Sequence, residues 1–383
     1  MIYVHIPFCR SFCTYCDFYS EVASKCRGAE AEKKQEELFR KFADALKNEM
    51  WKHSSEIDSQ VNTLYIGGGT PSVLPLHVFE ELTQTLKEIC GNGDVFREFT
   101  VEVNPEDIVE KGADYVRGLM ALGVNRISMG VQSFDDGILK FMNRRHDAAT
   151  ARKAYGILED AGIRNISIDL IFGLPQLTDA RWADTLNDAL KLSSEGRLPT
   201  HISAYQLSVE PGSMLAKMVE KGSFEEASDD LCEHQYQMLC DTLGRAGYNH
   251  YEISNFALPG HEAVHNSAYW KHVPYVGFGP GAHSFTADHT RRWNRPDLQA
   301  YIADPLSVQE HEELDGQQLA LEKIMLGLRT SQGIDGAFLH EHCDADALAD
   351  ALATGNLVVV ENGNIRIPEN RFFISDNIIS RII

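Results

Sequence analysis

The stretch MIYVHIPFCRSFCTYCDFYS, residues 1–20, decides how the rest of the chain is read. It opens with IYVHIPF (2–8), a run of β-branched and aromatic residues that predicts a strand covered on both faces. Cys9, Cys13 and Cys16 follow at once in the spacing CxxxCxxC. Clustered thiols in a reducing environment point to metal or redox chemistry. Structural zinc needs four ligands in a closed tetrahedron, so a zinc site would have to recruit a distant His or Cys. A 4Fe-4S cubane has four iron corners. Three thiolates would fill three of them and leave one iron open to an amino-acid-like chelator. Phe8, Phe12, Tyr15 and Phe18 are expected to exclude water from such a cluster. Cys26, Cys90, Cys232, Cys240 and Cys343 are scattered and read as buried or idle thiols.

Five further β-rich runs follow: VNTLYI (61–66), FTVEV (99–103), RISMGV (126–131), NISIDLIF (165–172) and HISAYQL (201–207). Helical patterns separate them. Leu76, Phe79, Leu82, Leu86 and Ile89 form one apolar stripe. Asp147 reads as the N-cap of a helix ending at Gly162, and Thr178 as another N-cap. ALGVNRIS (121–128) and DAGIRNIS (160–167) echo each other as helix end, glycine, turn and strand, and RAGYNHYEIS (245–254) echoes them loosely. Repeated βα units with right-handed crossovers give a parallel sheet. Six units predict an α/β fold with a partial barrel; a doubly wound open sheet is the alternative. Polar and glycine residues gather after every strand: the cysteines, GGGTPS (67–72), Glu102 and Asn104, Gln132, Asp169 and Gly173, and Tyr205 with Gln206. Parallel α/β sheets place their sites at that carboxyl edge.

From about residue 305 the pattern changes to helices (LALEKIMLGL, DADALADALATG) and then LVVVENGNIRIP, whose Asn362-Gly363 signals a hairpin. This predicts a small winged-helix-like α+β module. Its 13 acids against 5 Lys or Arg favour a packing or lid role over DNA reading. The expected division is a partial barrel over 1–260, a connecting segment over 261–304 that carries HNSAYW, and the C-terminal module over 305–383. A net charge of −21 argues against nucleic-acid or anionic-membrane partners. No apolar run reaches the length of a membrane span, and the first residues lack a secretory signal, so a cytoplasmic location is expected.

HIPFCxxxCxYCDF, GGGTPS, VEVNPE, GVQSF, NRRH, IDLIFGLPQ and HNSAYW together resemble the radical S-adenosylmethionine (SAM) superfamily. Within it they resemble the oxygen-independent coproporphyrinogen III oxidase family, and best its heme chaperone branch. The resemblance implies that Cys9, Cys13 and Cys16 hold a 4Fe-4S cluster. It implies that Tyr3, Tyr15, Gly68, Gly69 and Thr70 lie near the SAM methionyl group, that Glu102 meets the SAM amino group, and that Gln132, Arg144 and Asp169 contact the rest of SAM. A carboxylate at Asp169 suits two ribose hydroxyls, and a guanidinium at Arg144 suits a carboxylate; the neighbouring Arg145 is the alternative.

Two departures set the chain apart from the oxidase. Phe18 stands where the oxidase pattern has a further cysteine, and the first strand begins at residue 2, without the oxidase's N-terminal extension. HNSAYW (265–270) instead resembles the HNxxYW of the chaperone branch, and the resemblance implies that His265, Tyr269 and Trp270 are the candidate heme contacts, by ligation and stacking. GFGPGAHS (277–284) is glycine-rich enough to approach a flat ligand. The resemblance therefore implies a protein that binds the cluster, SAM and heme and passes heme to an acceptor protein. A reductant such as a flavodoxin would serve the cluster, and a homodimer is compatible with the sequence. The alternative function is the oxidase itself, with SAM cleaved to start radical decarboxylation.

Overall fold

In the computed structural model, which describes residues 1–23, 28–57, 62–91 and 96–383, six parallel strands lie side by side in chain order. They are β1 (Ile2–Ile6), β2 (Thr63–Gly68), β3 (Glu98–Val103), β4 (Arg126–Gln132), β5 (Asn165–Phe172) and β6 (His201–Gln206). These are the six runs read from the sequence. Helices α1 (Ala29–Lys52), α2 (Leu76–Ile89), α3 (Pro105–Ala121), α4 (Ala148–Ala161), α5 (Asp179–Ala189) and α6 (Asp229–Arg245) connect and cover them. Asp147 caps α4 through the Thr150 amide, and Gly162 ends it in the left-handed conformation. Thr178 caps α5 through the Arg181 amide. Cys26 lies outside the described residues.

Three more strands extend this sheet. β7 (Asn249–Glu252) and β8 (Asn255–Ala257) form an antiparallel pair on the β6 side, and β9 (Val276–Phe278) runs parallel to β1 on the other. The strand order is β9-β1-β2-β3-β4-β5-β6-β8-β7. This linear order makes the barrel partial, as the six-unit count predicts.

The strands alternate more strictly than continuous hydrophobicity suggests. Ile2, Val4, Ile6, Leu64, Ile66, Val101, Ile127, Met129, Ile166, Ile168 and Ile202 are at most 1% exposed and belong to the core shared with the helices. The intervening residues are polar and share the opposite face: Tyr65, Thr100, Glu102, Arg126, Ser128, Ser167, Asp169, His201 and Ser203. Tyr and Thr are at home in strands, so a lumen lined by them looks like a doubly buried strand in the sequence.

Beyond the barrel, HNSAYW is not a loop but the short helix α7 (Val264–Trp270). An antiparallel sheet of β10 (His283–Phe285), β11 (Thr290–Asn294) and β12 (Gln309–Glu313) follows. The C-terminal part contains α8 (Gly316–Gly327), opened by an Asp315–Gln318 capping box, then α9 (Gly336–His342) and α10 (Ala345–Ala353). β13 (Ile334–Asp335), β14 (Val358–Val359) and β15 (Asn364–Arg366) form its small sheet, with the β14–β15 hairpin turning at Asn362-Gly363, and α11 (Ser375–Ile382) ends the chain. This is the winged-helix-like arrangement expected. Among the described residues no helix is long and apolar enough to cross a membrane.

One buried carboxylate fastens these parts together. Glu49 of α1 is 0% exposed. It accepts from the Gly279 amide at 2.9 Å, Asn294 Nδ2 at 2.7 Å, Tyr301 OH at 2.5 Å and Gln309 Nε2 at 3.2 Å. Replacing Glu49 by Leu takes the carboxylate from the buried Gly279 amide and Tyr301 hydroxyl, while Asn294 Nδ2 keeps the Gly279 carbonyl and Gln309 Nε2 keeps His53. It is expected to cost on the order of 3 kcal/mol or more, read as a lower urea midpoint by circular dichroism.

Candidate cofactor site

A cavity of about 470 Å³ opens at the carboxyl ends of the strands. That volume suits a small-molecule site. Cys9, Cys13 and Cys16 line it together with Tyr15, Gly68, Gly69, Thr70, Glu102, Gln132, Arg144 and Asp169. The structure thus gathers into one space all three cysteines and eight of the nine residues expected near SAM. Tyr3 is not among the lining residues. Its hydroxyl bonds His5 Nδ1 at 3.1 Å, and Tyr65, whose ring centroid is 6.2 Å away, reaches the cavity in its place.

The cysteine loop is fixed from several sides. The Gly69 amide donates to the Ile6 carbonyl at 2.8 Å and the Thr70 amide to the Phe8 carbonyl at 2.7 Å. The Thr14 amide donates to the Met142 carbonyl, and the Leu215 amide to the Thr14 carbonyl. Arg10 pairs with Glu110 and, at 3.5 Å, with Asp107 at the start of α3. Side chains are excluded from the glycine turn on steric grounds. A Cβ on Gly67 would come within 2.9 Å of the Glu102 carboxyl; one on Gly68, where φ is +106°, would sit 2.7 Å from the His5 ring; one on Gly69 would sit 2.8 Å from the Phe8 carbonyl oxygen. The glycines bring strand β2 against the start of the cysteine loop.

The polar groups are individually tethered. Glu102 accepts from Tyr65 OH at 2.7 Å and from the Gly68 amide at 3.1 Å. Asp169 accepts from Ser128 Oγ at 3.2 Å. Burial raises the Glu102 carboxyl to about 7 and the Asp169 carboxyl to about 6. Gln132 sits after a bulge in β4 with φ at 67°, a left-handed conformation that turns the chain at the cavity wall. Arg144 donates to Asn104 Oδ1 at 2.6 Å, to the Gly130 carbonyl at 2.7 Å and to Cys13 Sγ at 3.4 Å, while its buried Nε has no partner. Arg145 turns to Glu106 at 3.3 Å.

Two expectations change. Phe8 is fully buried, edge-on to Phe39 and Phe42, but Phe12 and Phe18 are 53% and 63% exposed. They stand at the rim of the cavity and do not seal it.

The heme-motif residues lie at the other end of the barrel. The Glu98 carboxylate, at the amino end of β3, accepts from the Val264 and His265 amides at 2.7 and 2.9 Å. His265 is 1% exposed. Its Nδ1 meets Thr63 Oγ1 at 2.9 Å and its Nε2 meets Tyr269 OH at 3.0 Å. Burial lowers its pKa to about 3, so the ring is neutral. Asn266 reaches the cysteine-lined cavity from below, whereas Ser267, Ala268 and Trp270 line a second, larger groove of about 1910 Å³. That groove also takes in Tyr275, Phe285 and residues of the C-terminal part, among them Lys323 and Thr330. A six-residue strand separates the two ends of the barrel by roughly 16 Å. Tyr65, Arg126 and Asn266 are cavity residues that the sequence reading missed. For Tyr65 and Arg126 the signal was available, because each stands two positions before an inward residue of its strand.

Residues 3–189 match the radical SAM superfamily. A heme chaperone HemW of Lactococcus lactis is 35% identical over 334 residues, 87% of this chain and 82% of the relative. The chain belongs to the radical SAM superfamily and to the family of these heme chaperones. The HemW of Bacillus subtilis is 32% identical, over 87% of this chain and 84% of its own length. The solved coproporphyrinogen III oxidase HemN of Escherichia coli, a radical SAM enzyme, superimposes with a TM-score of 0.79 over 99% of this chain and 88% of its own, at 22% identity; this likeness is one of fold.

The residues present fit the cofactors of a radical SAM protein. Among the described residues no three His, Cys, Asp or Glu side chains sit at the spacing of a single metal ion. The three cysteines instead share a cavity wall, which suits a multi-iron cluster. Burial pushes the Cys16 thiol up to about 12 and raises Cys9 as well, so cationic iron would stabilise their thiolates here.

The raised Glu102 carboxyl carries a prediction for the cluster-free protein. The folded state holds this proton more tightly than the unfolded chain. Stability contributed by the group is therefore full below about 4.5 and falls as pH rises to about 7, above which it is flat. Thermal melts from pH 4.5 to 8 are expected to show this decline. Glu102→Gln removes up to about 3 kcal/mol of it.

Proposed function

We propose that this protein is a heme chaperone that carries a 4Fe-4S cluster on Cys9, Cys13 and Cys16, binds SAM beside it, and delivers heme to an acceptor protein. The observation that carries the reading is the shared cavity: three thiols, a glycine turn, two carboxylates and Arg144 in one space. The relatives named as heme chaperones support the cargo. When bound, cluster and SAM together supply one-electron chemistry. The chain's own part is to hold them. Glu102 offers a carboxylate to an ammonium, Asp169 can accept from paired hydroxyls, and Arg144, with Nε free, can receive a carboxylate. A small electron-transfer protein would serve as reductant, and free thiols at the site suit the cytoplasm.

For heme, we infer a seat in the larger groove, against the face of α7 that presents Trp270. The groove is ample for a tetrapyrrole, and Trp270 and Tyr275 offer ring faces, with exposed Lys271 available to a propionate. His265 can ligate iron only by giving up one of its two ring hydrogen bonds. Tyr269 is the partner on the groove-facing helix itself, so its release is the simpler step.

Anaerobic reconstitution followed by hemin titration tests the whole reading. Stoichiometric hemin binding without turnover of coproporphyrinogen III is expected; catalytic protoporphyrinogen formation with SAM and a reductant would overturn it. Trp270→Ala is expected to weaken hemin binding about tenfold, a stacking loss of about 1 kcal/mol or slightly more. Tyr269→Phe frees His265 Nε2 and should tighten binding about fivefold, matching one hydrogen bond of about 1 kcal/mol. His265→Ala should abolish the heme Soret shift assigned to imidazole. Equal behaviour of all three variants would exclude α7 as the seat.

A further inference from the structure

The barrel lumen holds a second guanidinium besides Arg144. Arg126 begins β4, in register with Thr100 and Asn165, and is 2% exposed. It lines the inner end of the cofactor cavity, together with Glu102, Asp169 and Asn266. Its Nε has no acceptor, and among the described residues its guanidinium forms no hydrogen bond or ion pair. A buried guanidinium without a hydrogen bond is unusual, because each unmet donor costs free energy. Such a group acts on its surroundings through its field alone, which is strong where water is excluded.

Two carboxylates share that space, and neither is bonded to it. The oxygens of Glu102 are taken by Tyr65 and Gly68, and Asp169 takes Ser128 and Ser203. We propose that Arg126 is a positioning residue whose charge draws Glu102 and Asp169 toward the ionised form, in which they meet the ammonium and ribose hydroxyls of SAM. The proposal rests on the SAM reading of the cavity. Burial works against ionisation at both sites, and the charge of Asp169 does so at Glu102; the Tyr65 hydroxyl and Gly68 amide favour the Glu102 carboxylate, and the Arg126 charge favours ionisation at both sites. The other groups facing them are the phenols of Tyr3, Tyr65 and Tyr205, which are neutral, and Arg144, which acts on Asp169. The field of Arg126 also reaches the neutral imidazoles of His201 and His265. An anion-anchoring role for Arg126 is the poorer assignment, since a third negative group would enter beside two buried carboxylates.

The test uses anaerobically reconstituted protein and calorimetric SAM titrations from pH 6 to 8.5, with Arg126→Gln and Arg126→Lys beside the parent. Arg126→Gln is expected to weaken SAM about tenfold at pH 7 and to move the pH midpoint of binding up by about one unit, with affinity recovering at high pH. Arg126→Lys should restore most of the affinity at pH 7, and iron content should be unchanged in both. An affinity loss of equal size at every pH, or no loss, overturns the proposal. A second arm needs no SAM. In the cluster-free chain, the pH range over which thermal stability declines should extend further upward in Arg126→Gln than in the parent, and an unmoved range also overturns the proposal. If the parent itself fails to bind SAM, the cofactor reading falls, while this second arm still decides the role of Arg126.

Discussion

The cysteine loop has almost no regular structure of its own, so its shape depends on main-chain hydrogen bonds made to distant parts of the chain. The bonds from Gly69 to Ile6 and from Thr70 to Phe8 continue the β1–β2 pairing past the ends of the strands. Those bonds need β2 to run against the loop without side chains, which Gly67, Gly68 and Gly69 provide. The same segment then places the Gly68 amide on Glu102 and the Thr70 hydroxyl 3.4 Å from Cys9 Sγ. One backbone contact thus sets the sulfur positions and the carboxylate together. Removing it would disturb the cysteine loop and the small-molecule pocket in a single step.

A second constraint is electrostatic. The lumen is lined by polar residues in a fold whose outer strand faces are wholly apolar. Buried carboxylates are tolerable when tethered by donors and balanced by a cation. Here the tethers are neighbouring hydroxyls and amides, and the cations are Arg126 and Arg144. Arg144 is also the bridge between this lumen and the cysteine loop, through Cys13. The network of Arg10, Glu106, Asp107, Glu110 and Arg145 fastens the same loop to the start of α3 from outside.

Much of this was legible in the sequence. The strands that build the barrel, the caps at Asp147 and Thr178, the glycine turn and the C-terminal hairpin each carry a local signal strong enough to survive in the fold. What was missed has physical reasons. β8 and β9 are three residues each, too short to show a period, and RAGYNHYEIS does end in a strand, but β7 joins the sheet through an antiparallel hairpin that tertiary contacts select. Polar alternation in β2 was hidden because Tyr and Thr are strand formers as well as polar groups, so Tyr65 passed unnoticed, and Arg126 stands at the first position of β4, where a polar residue also reads as a strand boundary. The exposure of Phe12 and Phe18 depends on which way an irregular loop turns, and hydrophobicity does not encode that. His265 belongs to a segment read only as a connection, although a helix capped on Glu98, far away in sequence, holds it buried at the amino end of the barrel.

Helix α7 is only seven residues long, yet it is the partition between two chambers. Asn266 touches one and Trp270, one turn later, touches the other. Both residues sit on the same seven-residue element. A molecule that displaced Asn266 in one chamber would act on the element that carries the indole of the other, and the converse holds. Whatever free energy one guest contributes to the other's affinity is returned in equal measure. The floor of the barrel is thus a single turn of helix shared by two chambers.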